Sequence, residues 1–155
     1  MPGPFLADLT PFLDPHRVVV LRGRPGKRDA LLALADTIAA DFTPEARRQF
    51  IKSLFDREEV ASTACGCGVA IPHARVPGLA ACRIALGLCR EGLDMTGNDG
   101  QPVLVLAMLA SREDNHPEHL RVLAALASQL RDANACTRLA NAADADVAIA
   151  MMTTR

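Results

Sequence analysis

Val103 to Ala110 is an eight-residue run without one polar side chain. A strand with one wet face alternates, whereas an unbroken apolar strand must be covered on both faces. The run also falls far short of the ~20 residues that cross a bilayer as a helix. We therefore read Val103 to Leu109 as a central strand with helices packed on either side. Arg83 to Cys89 gives a second strand, with Ile84, Leu86 and Leu88 on one face. Arg17 to Leu21 reads as the first strand, ended by Gly23, Pro25 and Gly26. Leu93 to Met95 reads as a short edge piece before a Gly97-Asn98-Asp99-Gly100 turn.

Helical periods fill the gaps. Apolar residues at 31, 34, 35 and 38 mark a helix over Lys27 to Ala40. Thr43-Pro44-Glu45 starts another, with a capping hydroxyl, a proline at the first position and an acid in the first turn. It turns Phe50, Ile51, Leu54 and Phe55 inward and ends near Arg57 to Val60. Asn115 with Glu118 has the spacing of a capping box. The helix behind it is expected to bury Leu120, Leu123, Ala124, Ala127 and Leu130, and one or two short helices capped by Asn134 and Asp144 follow. The order βααββ(β)βαα predicts an α/β sandwich with a mixed sheet. Residues 1–14 hold three prolines and no period, and read as a loose leader to a single domain at 15–155.

Seventeen basic and eighteen acidic residues are interspersed, for a net charge of −1. That balance disfavours a phosphate-tracking nucleic-acid surface. With no Trp or Tyr, few platforms exist for stacking bases or sugars. Five cysteines, an odd number, read as free thiols in a reducing compartment. Met1 to Leu13 has no Lys or Arg, unlike the basic start of a signal peptide. A cytoplasmic protein without membrane insertion is expected.

The chemistry concentrates around residues 57–73. Val69-Ala70-Ile71 run into Pro72, which has no N–H to continue a central strand. The strand is expected to stop there and present His73 at its end. Upstream lie Arg57-Glu58-Glu59, Ser62-Thr63 and Gly66-Cys67-Gly68; downstream, His119 falls in the first turn of a helix, where free N–H groups welcome an anion. Gly66 and Gly68 let backbone N–H groups turn toward an anion, and Arg57 offers fork geometry for phosphate oxygens. A neutral imidazole is a nucleophile at physiological pH because its unperturbed pKa is ~6.5. The set suits phosphoryl transfer through a phosphohistidine, which needs alignment and charge stabilisation.

Each residue also has a plainer reading. His73 alone could be an ordinary loop histidine, His119 a surface residue at a helix start, and Arg57 a solvated charge paired with Glu58 or Glu59. His116 reads as exposed and idle; Cys82, Cys89 and Cys136 read as core. Cys65, Cys67 and His73, or His116 with His119, invite a zinc reading. A Cys-x-Cys without a second pair is not a structural zinc set, so no metal and no cofactor are expected.

Residues 54 to 77, from Leu54-Phe55-Asp56-Arg57-Glu58-Glu59 through Ser62-Thr63 and Gly66-Cys67-Gly68 to Ile71-Pro72-His73, resemble the signature of enzyme IIA domains of the bacterial phosphotransferase system. The branch is the fructose/mannitol/nitrogen-regulatory one. Gly100 through Leu130 resembles it too, with His119-Leu120 at the second histidine position, and the resemblance spans roughly residues 15 to 150. It implies a five-stranded mixed sheet between helices and phosphorylation of His73 on Nε2. The implied donor is the histidine-carrier phosphoprotein (HPr) or its nitrogen-branch paralogue. His119 and Arg57 would assist at the phosphoryl site. The family often has serine where this chain has Cys82, and Asn or another residue at Cys67. The absence of a fused transporter segment favours a nitrogen-regulatory role through the phosphorylation state. A transport IIA handing phosphate to a separate IIB protein, and a non-catalytic interaction module on the same fold, stay open.

Overall fold

The structure is a computed structural model that describes residues 7–60, 62–95 and 99–153. Six strands make one sheet: β1 (Val18–Val20), β2 (Ala64–Gly66), β3 (Val69–Ala70), β4 (His73–Val76), β5 (Arg83–Leu88) and β6 (Val105–Arg112). Five helices cover it: α1 (Lys27–Ile38), α2 (Pro44–Val60), α3 (His116–Leu130), α4 (Ala133–Ala140) and α5 (Ala145–Thr153). The order across the sheet is β1-β5-β6-β3-β2, with β4 also on β6.

The apolar run forms the middle of this sheet, as its composition demands. Val105, Ala107 and Leu109 point into a core shared with α3, α4 and α5. Leu106, Met108 and Ala110 point into a second core shared with α1 and α2. β5 runs antiparallel to β6, whereas β3 and β4 run parallel to it. Gly87 in β5 is a point of close approach: a Cβ there would stand 2.9 Å from Leu34 Cδ1 and 3.3 Å from Leu106 Cβ. Gly87→Val therefore overpacks the second core and is expected to cost about 2 kcal/mol, read as a lower urea midpoint with an unchanged slope.

Pro72 does not end the strand; it interrupts it. β3 pairs Val69 with Val105, β4 resumes by pairing His73 with Leu109, and the Pro72 carbonyl accepts from Leu109 N–H at 2.9 Å between them. β3 and β4 are thus two pieces of one line, and the sheet has five strand positions in mixed directions.

Local signals give the remaining elements. The Thr43 hydroxyl caps α2 by accepting from Ala46 N–H at 3.1 Å, and Asp144 accepts from Val147 N–H at 2.9 Å at the start of α5. Asp132, not Asn134, caps α4. On α3 the inward face is shifted from the expected one: Val122, Ala125, Leu126 and Leu130 are buried, while Leu120 is 50% exposed and Ala124 and Ala127 face solvent. Leu93 to Met95 forms only a bridge from Asp94 to Gly26. Gly97 and Asn98 of the expected turn lie outside the described residues. The leader is docked rather than loose from Leu9 onward, since Leu9 is buried in the first core with Phe12 and Leu13 against it.

Candidate functional site

β4 carries His73 at its first position, and α3 carries His119 one turn in, so the chain crossing at β6 brings the two together. Their ring centroids are 5.5 Å apart, tilted by 56°. His73 Nδ1 donates to the Ile71 carbonyl at 2.9 Å. A carbonyl only accepts, so this contact places the proton on Nδ1 and leaves a lone pair on Nε2.

The Ile71 carbonyl is itself held in place. Ile71 N–H donates to the Thr63 carbonyl at 3.1 Å. Thr63 N–H donates to Glu58 Oε1 at 3.2 Å, and its hydroxyl donates to the same oxygen. Glu58 is buried in the last turn of α2, and Lys27 Nζ stands 2.7 Å from its Oε2. A buried carboxylate persists when paired and fully hydrogen-bonded. The Arg-Glu and Ser-Thr parts of the sequence signature thus include an anchor that sequence reasoning left without a role. Glu58 at the fourth position after the buried Leu54 was the available signal, because that spacing turns it inward.

His119 is buried, at 7% exposure, although it sits in the first turn of α3, so the plainer reading of it as a surface residue does not hold. Its Nδ1 lies 2.5 Å from the hydroxyl of Ser111, a fully buried residue near the end of β6. Burial holds its pKa below the usual histidine value, and the neighbouring His73, Arg75 and His116 push the same way. The helix start is also less open to an anion than expected. Asn115 Oδ1 accepts from Glu118 N–H, the Asn115 carbonyl accepts from His119 N–H, and Pro117 has no N–H.

The other expected site residues lie on neighbouring elements. Arg57 lies half-buried in the last turn of α2, the helix that packs on β4. Gly66 and Gly68 are not brought to His73. They turn the chain from β2 into β3 with positive φ, and Cys67 N–H between them donates to Asp99 Oδ2 at 2.9 Å. Val69 is level with Val105 and His73 with Leu109, which separates that turn from the imidazole by about 13 Å of strand. Cys82 is buried beside the start of α3, where its thiol donates to Glu118 Oε1 at 2.9 Å. Burial first, and that carboxylate second, push its pKa up to about 11. Glu118 is therefore occupied by Cys82 in place of the reciprocal half of a capping box.

Residues 11–154 match the family described as "Phosphoenolpyruvate-dependent sugar phosphotransferase system, EIIA 2", a class of phosphotransfer components. The chain belongs to that family. It is similar to the nitrogen regulatory protein of Bradyrhizobium diazoefficiens, with 32% identity over 137 residues, covering 88% of this chain and 89% of that protein. The crystal structure of the nitrogen regulatory protein IIA-Ntr from Neisseria meningitidis superposes with a TM-score of 0.82 at 26% identity, covering 94% of this chain and 99% of that one. The mannitol IIA of Escherichia coli shares the fold, with a TM-score of 0.72 at 20% identity over 90% of this chain and 98% of that one. No described helix is long and apolar enough to cross a membrane.

Proposed function

We propose that the chain is a nitrogen-regulatory-type phosphocarrier that takes a phosphoryl group onto Nε2 of His73. The observation that carries this reading is the Nδ1 contact with the Ile71 carbonyl, which leaves Nε2 as the nucleophile. The Nε2 lone pair attacks phosphorus, and the donor's P–N bond breaks with its electron pair returning to the donor imidazole. The donor is a histidine-carrier phosphoprotein, HPr or its nitrogen-branch counterpart, and the reaction takes place in the cytoplasm. His119, with Ser111 donating into its Nδ1, directs an Nε2–H at a phosphoryl oxygen. Arg57 supplies positive charge from the end of α2. Neither Gly66, Gly68 nor Cys82 touches the phosphoryl group in this reading.

Output is through the phosphorylation state, as supported by relatives named as nitrogen regulatory proteins that match along most of their length. The test is intact mass after incubation with phosphoenolpyruvate, enzyme I and each carrier protein in turn. A gain of one acid-labile phosphoryl group is expected, faster with the nitrogen-branch carrier. Rapid onward transfer to a sugar-specific IIB protein would replace the regulatory reading with a transport one. No gain from either carrier would leave a binding module on this fold.

A further inference from the structure

Arg75 and His116 stand beside the histidine pair. Arg75 lies two positions after His73 on β4, and strand alternation turns both to the same side. His116 lies three positions before His119 on α3, again on the same side. The His116 ring stacks on the His119 ring, with centroids 6.1 Å apart and planes within 17°. Arg75 closes the group by placing its Nη2 on His116 Nδ1. His116 is exposed, as its sequence suggests, but it is not idle.

That contact is an unusual use of a guanidinium. The acceptor is one neutral ring nitrogen, whereas the fork of an arginine matches two oxygens of a carboxylate or phosphate. Neighbouring cations are satisfied: Lys52 has Asp56 at 2.6 Å and Arg112 has Asp114 at 3.2 Å. Among the described residues no carboxylate lies within ion-pairing distance of Arg75. Glu113 and Asp56 border the cleft between α2 and the end of β4 into which Arg75 also faces, so it has room to move. Two strand positions separate Arg75 from His73 by about 6.6 Å, within reach of its long side chain.

We propose that Arg75 is a phosphoryl-binding residue of the His73 site, held in reserve on His116 and drawn onto the phosphoryl oxygens once His73 is modified. The proposal rests on His73 being the phosphorylated residue. A dianionic phosphoryl group is a far better acceptor for the fork than a neutral imidazole nitrogen, so phosphorylation breaks the Arg75–His116 contact. His116 acts as a positioning residue, through Arg75. Both side chains are exposed, so a partner surface meets a rearranged pair in the phosphorylated form.

Phosphoramidate separates phosphoryl binding from donor docking, because it modifies histidine directly: Nε2 attacks phosphorus, the P–N bond breaks and ammonia leaves. Wild type, Arg75→Gln, Arg75→Lys and His116→Gln are each treated with it, with His73→Ala as control. The rate and lifetime of phospho-His73 are followed by mass, and the imidazole nitrogens by NMR. Arg75→Gln is expected to lose about tenfold in rate or lifetime, with Arg75→Lys recovering part of the loss. His116→Gln is expected to change the rate while retaining the lifetime. In wild type, the His116 Nδ1 signal moves on phosphorylation toward its position in unmodified Arg75→Gln. Arg75→Gln protein with wild-type rate and lifetime, or a His116 signal indifferent to phosphorylation, overturns the role of Arg75 alone. Wild type that gains no phosphoryl group from phosphoramidate or carrier removes the phosphocarrier reading as well.

Discussion

His73→Ala protein will gain no phosphoryl group under conditions that fully modify wild type. The loss is complete because the site holds no substitute nucleophile. His119 is buried with its Nδ1 on Ser111, and His116 has its Nδ1 on Arg75. Of the three histidines gathered here, only His73 combines partial exposure with a proton fixed on Nδ1 by an acceptor that cannot donate. The fold should survive, since the residue starts a strand whose ladder is made by backbone. Thermal melting of the variant checks that point. A phosphoryl group found on His119 in the variant would assign the nucleophile to the wrong ring.

His119→Ala should slow phosphoryl transfer about 100-fold, the usual effect of removing one donor aimed at developing charge. Unlike an exposed residue, it should also destabilise the protein. The substitution leaves the buried Ser111 hydroxyl without its imidazole partner, which costs about 1–3 kcal/mol. His119→Asn should recover part of the stability and little of the rate. The lowered pKa adds a pH signature. Below pH 6.5, the value taken for the unfolded chain, the unfolded state binds a proton that the folded site resists. Stability therefore falls as pH drops from 6.5 toward the lowered folded value, and levels off below it. Urea midpoints across that range should show the slope in wild type and a smaller one in His119→Asn. Equal slopes would remove the buried imidazole as the cause.

The layers of the fold are legible in the sequence because each rests on a local pattern. The apolar run of β6, the alternation of Ile84, Leu86 and Leu88, and the Thr43 cap all decide their own conformation. What is missed depends on residues far apart in the chain. Nothing near Gly66 announces that Asp99 returns to take the Cys67 N–H. Nothing near His119 announces Ser111, whose hydroxyl lets an imidazole take the inward face of α3 while Leu120 turns out. His73 stands out because an apolar strand meeting Pro72 is a local event. Its tautomer depends on Ile71, Thr63, Glu58 and Lys27, a chain of contacts assembled from three segments.

Among the described residues β4 has a strand neighbour on one side only, β6, which makes it an edge strand. Open edges invite pairing with another sheet, and short length and charged side chains discourage it. The four residues of β4 include His73 and Arg75, so the groups assigned to the chemistry also guard the protein against self-association. Apolar replacements at both positions would turn the strand into a run of Val- or Ile-like residues on an exposed edge. Such a double variant is expected to aggregate before its inactivity can be measured, which ties the solubility of the chain to the residues proposed for its reaction.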